Sequence, residues 1–214
     1  EVAMKDLTLV RSLYRQPADY LNQSVTVAGW IRTLRDQKQF GFINLNDGSF
    51  FNNLQVVFNR DTLAGYDAIA RLGSGTAITA TGKIVATPQA RQPFELQATA
   101  IEVTGSCPPD YPLQPKRHSP EFLRTIAHLR PRTNLLAAVF RIRSVAAYAI
   151  HRFFNERDFV YVHTPIITGS DAEGAGQMFT VTTLGLDRPP RKPDGAIDYA
   201  QDFFGKHTNL TVSG

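Results

Sequence analysis

Five short runs of alternating apolar and polar residues constrain this chain more than anything else in it. Val25, Val27, Gly29 and Ile31 alternate with Thr26, Ala28 and Trp30. Gly41, Ile43 and Leu45 alternate with Phe40, Phe42 and Asn44, and Leu54, Val56 and Phe58 alternate with Gln55, Val57 and Asn59. Two more runs cover Thr76 to Ala86 and Phe94 to Val103. A period of two sends successive side chains to opposite faces of a strand, so each run predicts one core face and one outer face. Asn46-Asp47-Gly48 is a turn signal between the second and third runs, and Pro88 and Pro93 bracket the turn between the fourth and fifth. Between the third and fourth runs, Ala64, Ala68, Ile69 and Leu72 lie at helical spacing, with Asp61 or Thr62 placed as a cap and Gly73 as a stop. A helix is therefore expected over Asp61 to Leu72.

Three strands, a helix and two strands predict a five-stranded barrel. The order is that of an OB-fold, and an SH3-like barrel takes the same number of strands. Ahead of the barrel, Leu9, Val10, Leu13 and Tyr14 have helical spacing, interrupted by Pro17. After it come six prolines between residues 106 and 135, the mark of an interdomain connection. Leu135, Val139, Ile142, Ala146, Ala149, Ile150 and Phe153 then form an apolar stripe, predicting a long helix that ends near Phe154. Phe159 to Ile167 is β-branched and aromatic and reads as a strand. The expected organisation is a barrel domain over 1–105, a hinge over 106–131 and part of a second, α+β domain over 132–214.

Several function classes are disfavoured by what is scarce. No apolar run approaches the roughly 18 residues of a membrane span, so no membrane association is expected. The first residues lack the apolar segment of a secretory signal, and Cys107 is the only cysteine, so a cytoplasmic setting without disulfides is expected. The five histidines show no close ligand spacing, so no metal site is expected, and the carboxylates form no acid–base constellation.

The positive features point to nucleic acid. The net charge is +4, and residues 106–135 hold five basic and two acidic side chains, which concentrates the excess there. If the Gly41, Ile43 and Leu45 face is the core, Phe40 and Phe42 face outward beside Gln55, with Arg32, Arg35 and Lys38 at the rim. An exposed ring can stack on any base and an amide can pair with a base edge. The same periodicity also allows Phe40 and Phe42 to fill the barrel or to pack on the N-terminal helix. Gly174-Ala175-Gly176 lacks the lysine of a phosphate loop, and Asp171-Ala172-Glu173-Gly174 suits either a loop that caps a cation or a solvated turn.

The motifs taken together carry a family resemblance. Gly29-Trp30-Ile31-Arg32-Thr33-Leu34-Arg35-Asp36, Phe40-Gly41-Phe42-Ile43 and Leu54-Gln55-Val56-Val57 resemble the anticodon-binding OB domain of the class II aminoacyl-tRNA synthetases for Asp, Asn and Lys. Lys116-Arg117-His118, Glu121-Phe122-Leu123-Arg124 and His128 to Asn134 resemble that family's hinge. The long helix and the segment ending at Pro165 resemble motif 1. Ser170 to Gly176, Phe203-Phe204-Gly205-Lys206 and Leu210 to Gly214 are most similar to bacterial asparaginyl-tRNA synthetases. Ala172 stands where the aspartyl enzymes usually have Pro. The aspartyl enzyme and a non-catalytic, OB-type tRNA or single-strand binding module are the alternatives.

The resemblance implies roles for single residues. Phe42 would stack on the central anticodon uridine, Gln55 would bond that base, and Arg35 would contact the anticodon loop, with Arg32 and Lys38 as phosphate contacts. Glu173 would meet the amino acid's α-ammonium from a closing loop, with Ser170 and Ser213 at the same pocket. Gln177 departs from a glutamate common in close bacterial relatives. Pro165 would belong to a motif 1 dimer interface, implying a homodimer. The implied reaction is ATP-dependent, with Mg²⁺, and joins asparagine to tRNA through an adenylate. The family's motif 2 and motif 3 arginines have no counterpart here, so no catalytic residue is expected within this chain and ATP and Mg²⁺ would be bound mainly by residues beyond Gly214. The 214 residues alone are expected to give no pyrophosphate exchange.

Overall fold

The five alternating runs all become strands with their aliphatic faces turned inward. They are β1 (Ser24–Asp36), β2 (Phe40–Asn46), β3 (Leu54–Asn59), β4 (Ala77–Ala86) and β5 (Phe94–Gly105). In the computed structural model, which describes residues 7–170 and 177–212, they close a barrel in the order β1-β2-β3-β5-β4. Only β3 and β5 pair in parallel. This is the five-stranded OB-fold arrangement. Val27, Ile43, Leu45, Leu54, Val56 and Leu96 are fully buried in its core.

Gly41 has a steric reason to be glycine. An added Cβ would lie 2.0 Å from Cζ of the buried Phe58 ring, so the strand can cross that ring only without a side chain.

The helix α1 (Val10–Arg15) buries Val10 and Leu13 against the barrel. Leu9 gives it no side-chain cap. The β2–β3 loop supplies one instead, because Asp47 Oδ2 accepts from Val10 N at 2.8 Å and Ser49 Oγ accepts from Arg11 N at 3.0 Å. Pro17 ends the pattern and opens the short α2 (Pro17–Tyr20).

The helix expected over Asp61 to Leu72 is shorter. Only α3 (Tyr66–Ile69) forms, and its N-cap is Gly65 at φ +75° rather than Asp61 or Thr62. Asp61 N instead donates to Asn59 Oδ1, and Thr62 N and Leu63 N donate to Asn59 O. A turn that closes on β3, followed by a left-handed glycine, leaves no room for a regular helix ahead of Tyr66. Leu63, Tyr66 and Ile69 still reach the core.

The described residues fall into two compact units, Glu1–Ala146 and Ala147–Gly214. In the first, the proline-rich segment carries α4 (Pro120–Thr125), capped by Ser119, whose Oγ accepts from Phe122 N. The long α5 (Asn134–Asn155) follows, and the division between units falls within it. None of its side chains is buried. In the second unit, β6 (Ile167–Thr168), β7 (Thr180–Val181) and β8 (Thr208–Leu210) form an antiparallel sheet of order β6-β8-β7. The strand read over Phe159 to Ile167 pairs only at its last residue. Phe159, Val160, Tyr161 and Val162 are 61–85% exposed and have no neighbouring strand among the described residues. Strand propensity expresses itself only where a partner offers a hydrogen-bonding edge.

Candidate nucleic-acid interface

The barrel register carries one outward-facing row of side chains across all five strands. Arg35 lies opposite Phe42, Phe42 opposite Val57, Val57 beside Gln97 and Gln97 opposite Lys83. One step along, Thr33 lies opposite Asn44 and Asn44 opposite Gln55. Residues that pair directly point to the same side of the sheet, so neighbours in this row stand side by side on the outside of the barrel. Gly41, Ile43 and Leu45 are buried while Phe42 and Asn44 are half-buried and Phe40 is 44% exposed. The rings therefore line the outside of the barrel and do not fill it.

Polar groups on this face are held in place. Asn44 Nδ2 donates to Thr33 Oγ1 at 2.8 Å. Gln55 Nε2 donates to Glu95 Oε2 at 3.0 Å, which leaves the Gln55 carbonyl oxygen as an acceptor. An aromatic ring beside an oriented amide and a carboxylate can stack a base and read its edge.

The structure thus brings Phe42, Gln55 and Arg35 together. Lys38 is exposed on the β1–β2 turn, two residues ahead of Phe40, and has a left-handed φ of +70°. Arg32 goes elsewhere. The pairing shifts between Ile31 and Thr33, so Arg32 leaves the alternation of β1. It enters a cleft of about 1100 Å³ between the barrel and the proline-rich segment. Its Nη2 donates to Asn134 Oδ1 at 3.4 Å.

That cleft is cationic. Arg32, Lys116, Arg117 and Arg132 line it, and no Asp or Glu does among the described residues. Burial lowers the pKa of the Arg32 guanidinium, and the like charge of Arg132 adds to that while Tyr111 opposes it. Arg132 lies 4.9 Å above the centroid of the half-exposed Trp30 ring. A guanidinium desolvated without a carboxylate, with exposed cations around it, favours an anion.

Sequence reasoning missed Glu95, Gln97 and Lys83. All three sit in the fourth and fifth runs, and the signal was the alternation itself once barrel closure places β5 beside β3. It also missed the Trp30–Arg132 contact, which has no local sequence signal because it spans a hundred residues.

The second unit holds the remaining candidates. Ser170 is exposed, and its backbone N donates to Thr168 Oγ1 at 3.1 Å. Pro165 is exposed just ahead of β6. Glu173 and Ser213 lie outside the described residues. Lys206 packs its stem on Gly169, with Cε 3.2 Å from where a Cβ would stand. Nearby, the buried Asp202 accepts from Thr182 Oγ1 (2.6 Å), Thr183 Oγ1 (2.6 Å), Thr183 N (2.9 Å) and Phe203 N (2.7 Å). These bonds, the threonine hydroxyls foremost, hold its carboxyl far below the usual carboxylate range.

Comparison with known proteins agrees with this geometry. The family described as OB-fold nucleic acid binding domain matches residues 25–104, and the family described as tRNA synthetases class II (D, K and N) matches residues 119–189. The chain is 66% identical over 207 residues to the asparagine–tRNA ligase of Acetivibrio thermocellus and 59% identical over 209 residues to that of Acholeplasma laidlawii. These alignments cover 97% and 98% of this chain and 45% of each relative, so the chain spans less than half the length of the curated relatives it matches. The crystal structure of asparaginyl-tRNA synthetase from Pyrococcus horikoshii complexed with asparaginyl-adenylate shares the fold, with a TM-score of 0.76 at 20% identity, over 98% of this chain and 43% of that one.

Proposed function

Because the chain belongs to the class II tRNA synthetases of the D, K and N group, we propose that its barrel reads the anticodon loop of a tRNA and that the whole protein joins asparagine to that tRNA. The observation that carries this is the open barrel face, where Phe42 lies beside the Gln55–Glu95 pair with Arg35 next to it. Phe42 stacks on the central anticodon base. The Gln55 carbonyl oxygen, oriented by Glu95, meets that base's edge. Arg35 and Lys38 neutralise phosphates of the loop. The carboxylate-free cleft extends the cationic track, with Arg32, Lys116, Arg117 and Arg132 drawing the RNA backbone along the first unit.

In the whole protein, a carboxylate oxygen of asparagine attacks the α-phosphorus of ATP and pyrophosphate leaves. A ribose hydroxyl of the tRNA then attacks the acyl carbon and releases AMP. Catalysis of such a transfer is mainly positioning and neutralisation of phosphate charge. Glu173, Ser170 and Ser213 hold the amino acid, a carboxylate on its α-ammonium being a charge-assisted pair. The protein works in the cytoplasm as a homodimer joined through the motif 1 region that includes Pro165. Among the described residues no three His, Cys, Asp or Glu side chains come together as metal ligands.

The test is the affinity of the 214-residue chain for an RNA stem–loop with uridine at the loop centre. Phe42→Ala should weaken binding by about 1–3 kcal/mol, the loss of one stacked base. Unchanged affinity in a variant whose urea midpoint is also unchanged would remove Phe42 from the interface.

A further inference from the structure

The turn from β1 to β2 is fastened from beneath by residues that the interface itself does not use. Lys38 holds a left-handed φ of +70°, a conformation disfavoured for any side chain with a Cβ. Three hydrogen bonds keep the turn in that shape. Lys38 N donates to Asp36 Oδ1 at 2.8 Å, Arg60 Nε donates to Lys38 O at 2.6 Å, and Arg60 N donates to Gln39 O at 3.0 Å.

Both anchors are fixed in turn by Tyr66. Its hydroxyl donates to the same Asp36 Oδ1 at 2.5 Å. Its ring is buried beside Phe58, with centroids 5.1 Å apart, and the Arg60 guanidinium lies 4.2 Å over it. Asp67 Oδ1 completes the arrangement by accepting from Arg60 Nη2 at 2.9 Å. The Tyr66 hydroxyl holds the Asp36 carboxyl below its usual range, and burial, with Asp36 adding, pushes Tyr66 up to about 12. Near neutral pH the bond is therefore a phenol donating to a carboxylate, the stronger kind of hydrogen bond.

We propose that Tyr66 and Arg60 are positioning residues for RNA binding. They couple the barrel core to the β1–β2 turn, so that the Lys38 ammonium is presented to a backbone phosphate of the loop stacked on Phe42. A turn free to leave the left-handed conformation would carry the ammonium away from the phosphate and return ordering entropy to the binding step. This rests on the barrel face being the RNA-binding surface, and the experiment separates the two ideas.

The measurement is a double-mutant cycle on stem–loop RNA affinity and its salt dependence, with Tyr66→Phe and Lys38→Asn in the 214-residue chain. Asn tolerates the left-handed conformation and removes the cation. Each single variant should weaken binding several-fold and lower the slope of log Kd against log salt by about 0.7, the loss of one phosphate contact on a single strand. The double variant should lose no more than either single one. Where Tyr66→Phe lowers the folded fraction, Arg60→Lys replaces it, since it keeps the charge and loses the bond from Nε to Lys38 O. The proposal is overturned if the two losses multiply, or if Tyr66→Phe and Arg60→Lys keep the wild-type affinity and salt slope while only the melting temperature falls. With Phe42→Ala weakened, those results sink this inference alone. With Phe42→Ala and Lys38→Asn both unchanged, the interface falls and this inference with it.

Discussion

Gly41 shows how one residue can serve the core and the proposed interface together. It sits between Phe40 and Phe42, so the strand that displays two rings outward must also pass directly over Phe58. Gly41→Ala forces a methyl group into that ring, and overpacking of a close-packed core costs about 1–3 kcal/mol. A lower urea midpoint in that variant is the expected result, whereas a midpoint at the wild-type value would mean that Phe58 has room to move. The residue types of the proposed interface, an aromatic, an amide and a basic rim, were visible in the sequence, but alternation alone left open whether Phe42 faced outward or filled the barrel, and burial of the Gly41, Ile43 and Leu45 face decided it. The placement of Arg32 was not visible, because a single bulge in β1 breaks the alternation and only the register reveals it. Glu95 is the other case. Its role depends on Gln55 lying 3.0 Å away across two strands that are 40 residues apart in sequence.

At the level of elements, the five barrel strands and α5 were read closely, whereas the strand over Phe159 to Ile167 and the helix over Asp61 to Leu72 were not. Strand boundaries follow from turn residues and from a period that needs no partner to be seen. The region over Asp61 to Leu72 had helical spacing but yielded only the one turn of α3, because Asn59 and Gly65 bind the backbone in other ways. Helix α1 depends on tertiary structure for its start, since its cap comes from Asp47 and Ser49 in another loop. Asp47→Ala should therefore destabilise the first unit by about 0.5–2 kcal/mol, the usual effect of losing an N-cap. Amide exchange of Val10 and Arg11 should rise in that variant, and unchanged protection there would show that the cap contributes nothing.

For the molecule as a whole, the two units differ in how they are held. Among the described residues, every buried apolar side chain belongs to the first unit, mostly inside the barrel. Among the described residues of the second, only Asp202, Thr208 and Asn209 are buried, and all are polar. Local stability follows buried apolar contact, so hydrogen exchange should be slowest in β1 to β5 and much faster across the described residues of the second unit. Comparable protection in both units would contradict this reading. The side chains of α5 make the same point on a larger surface. Leu135, Ile142 and Ile150 of the apolar stripe are 60–68% exposed.

What the sequence by itself determined was local and periodic. It set the number and order of barrel strands, the basic proline-rich segment and the ordered motifs that resemble those of a tRNA synthetase. Those features are readable because each depends on neighbours within a few residues. Tertiary structure alone decided the partners. Closure of the barrel set Glu95 on Gln55 and Tyr66 under the β1–β2 turn. The packing of residues 106–135 against β1 turned Arg32 into a cleft residue. Contacts between residues 30 to 100 positions apart leave no periodic trace, and they exist only once the chain has closed on itself.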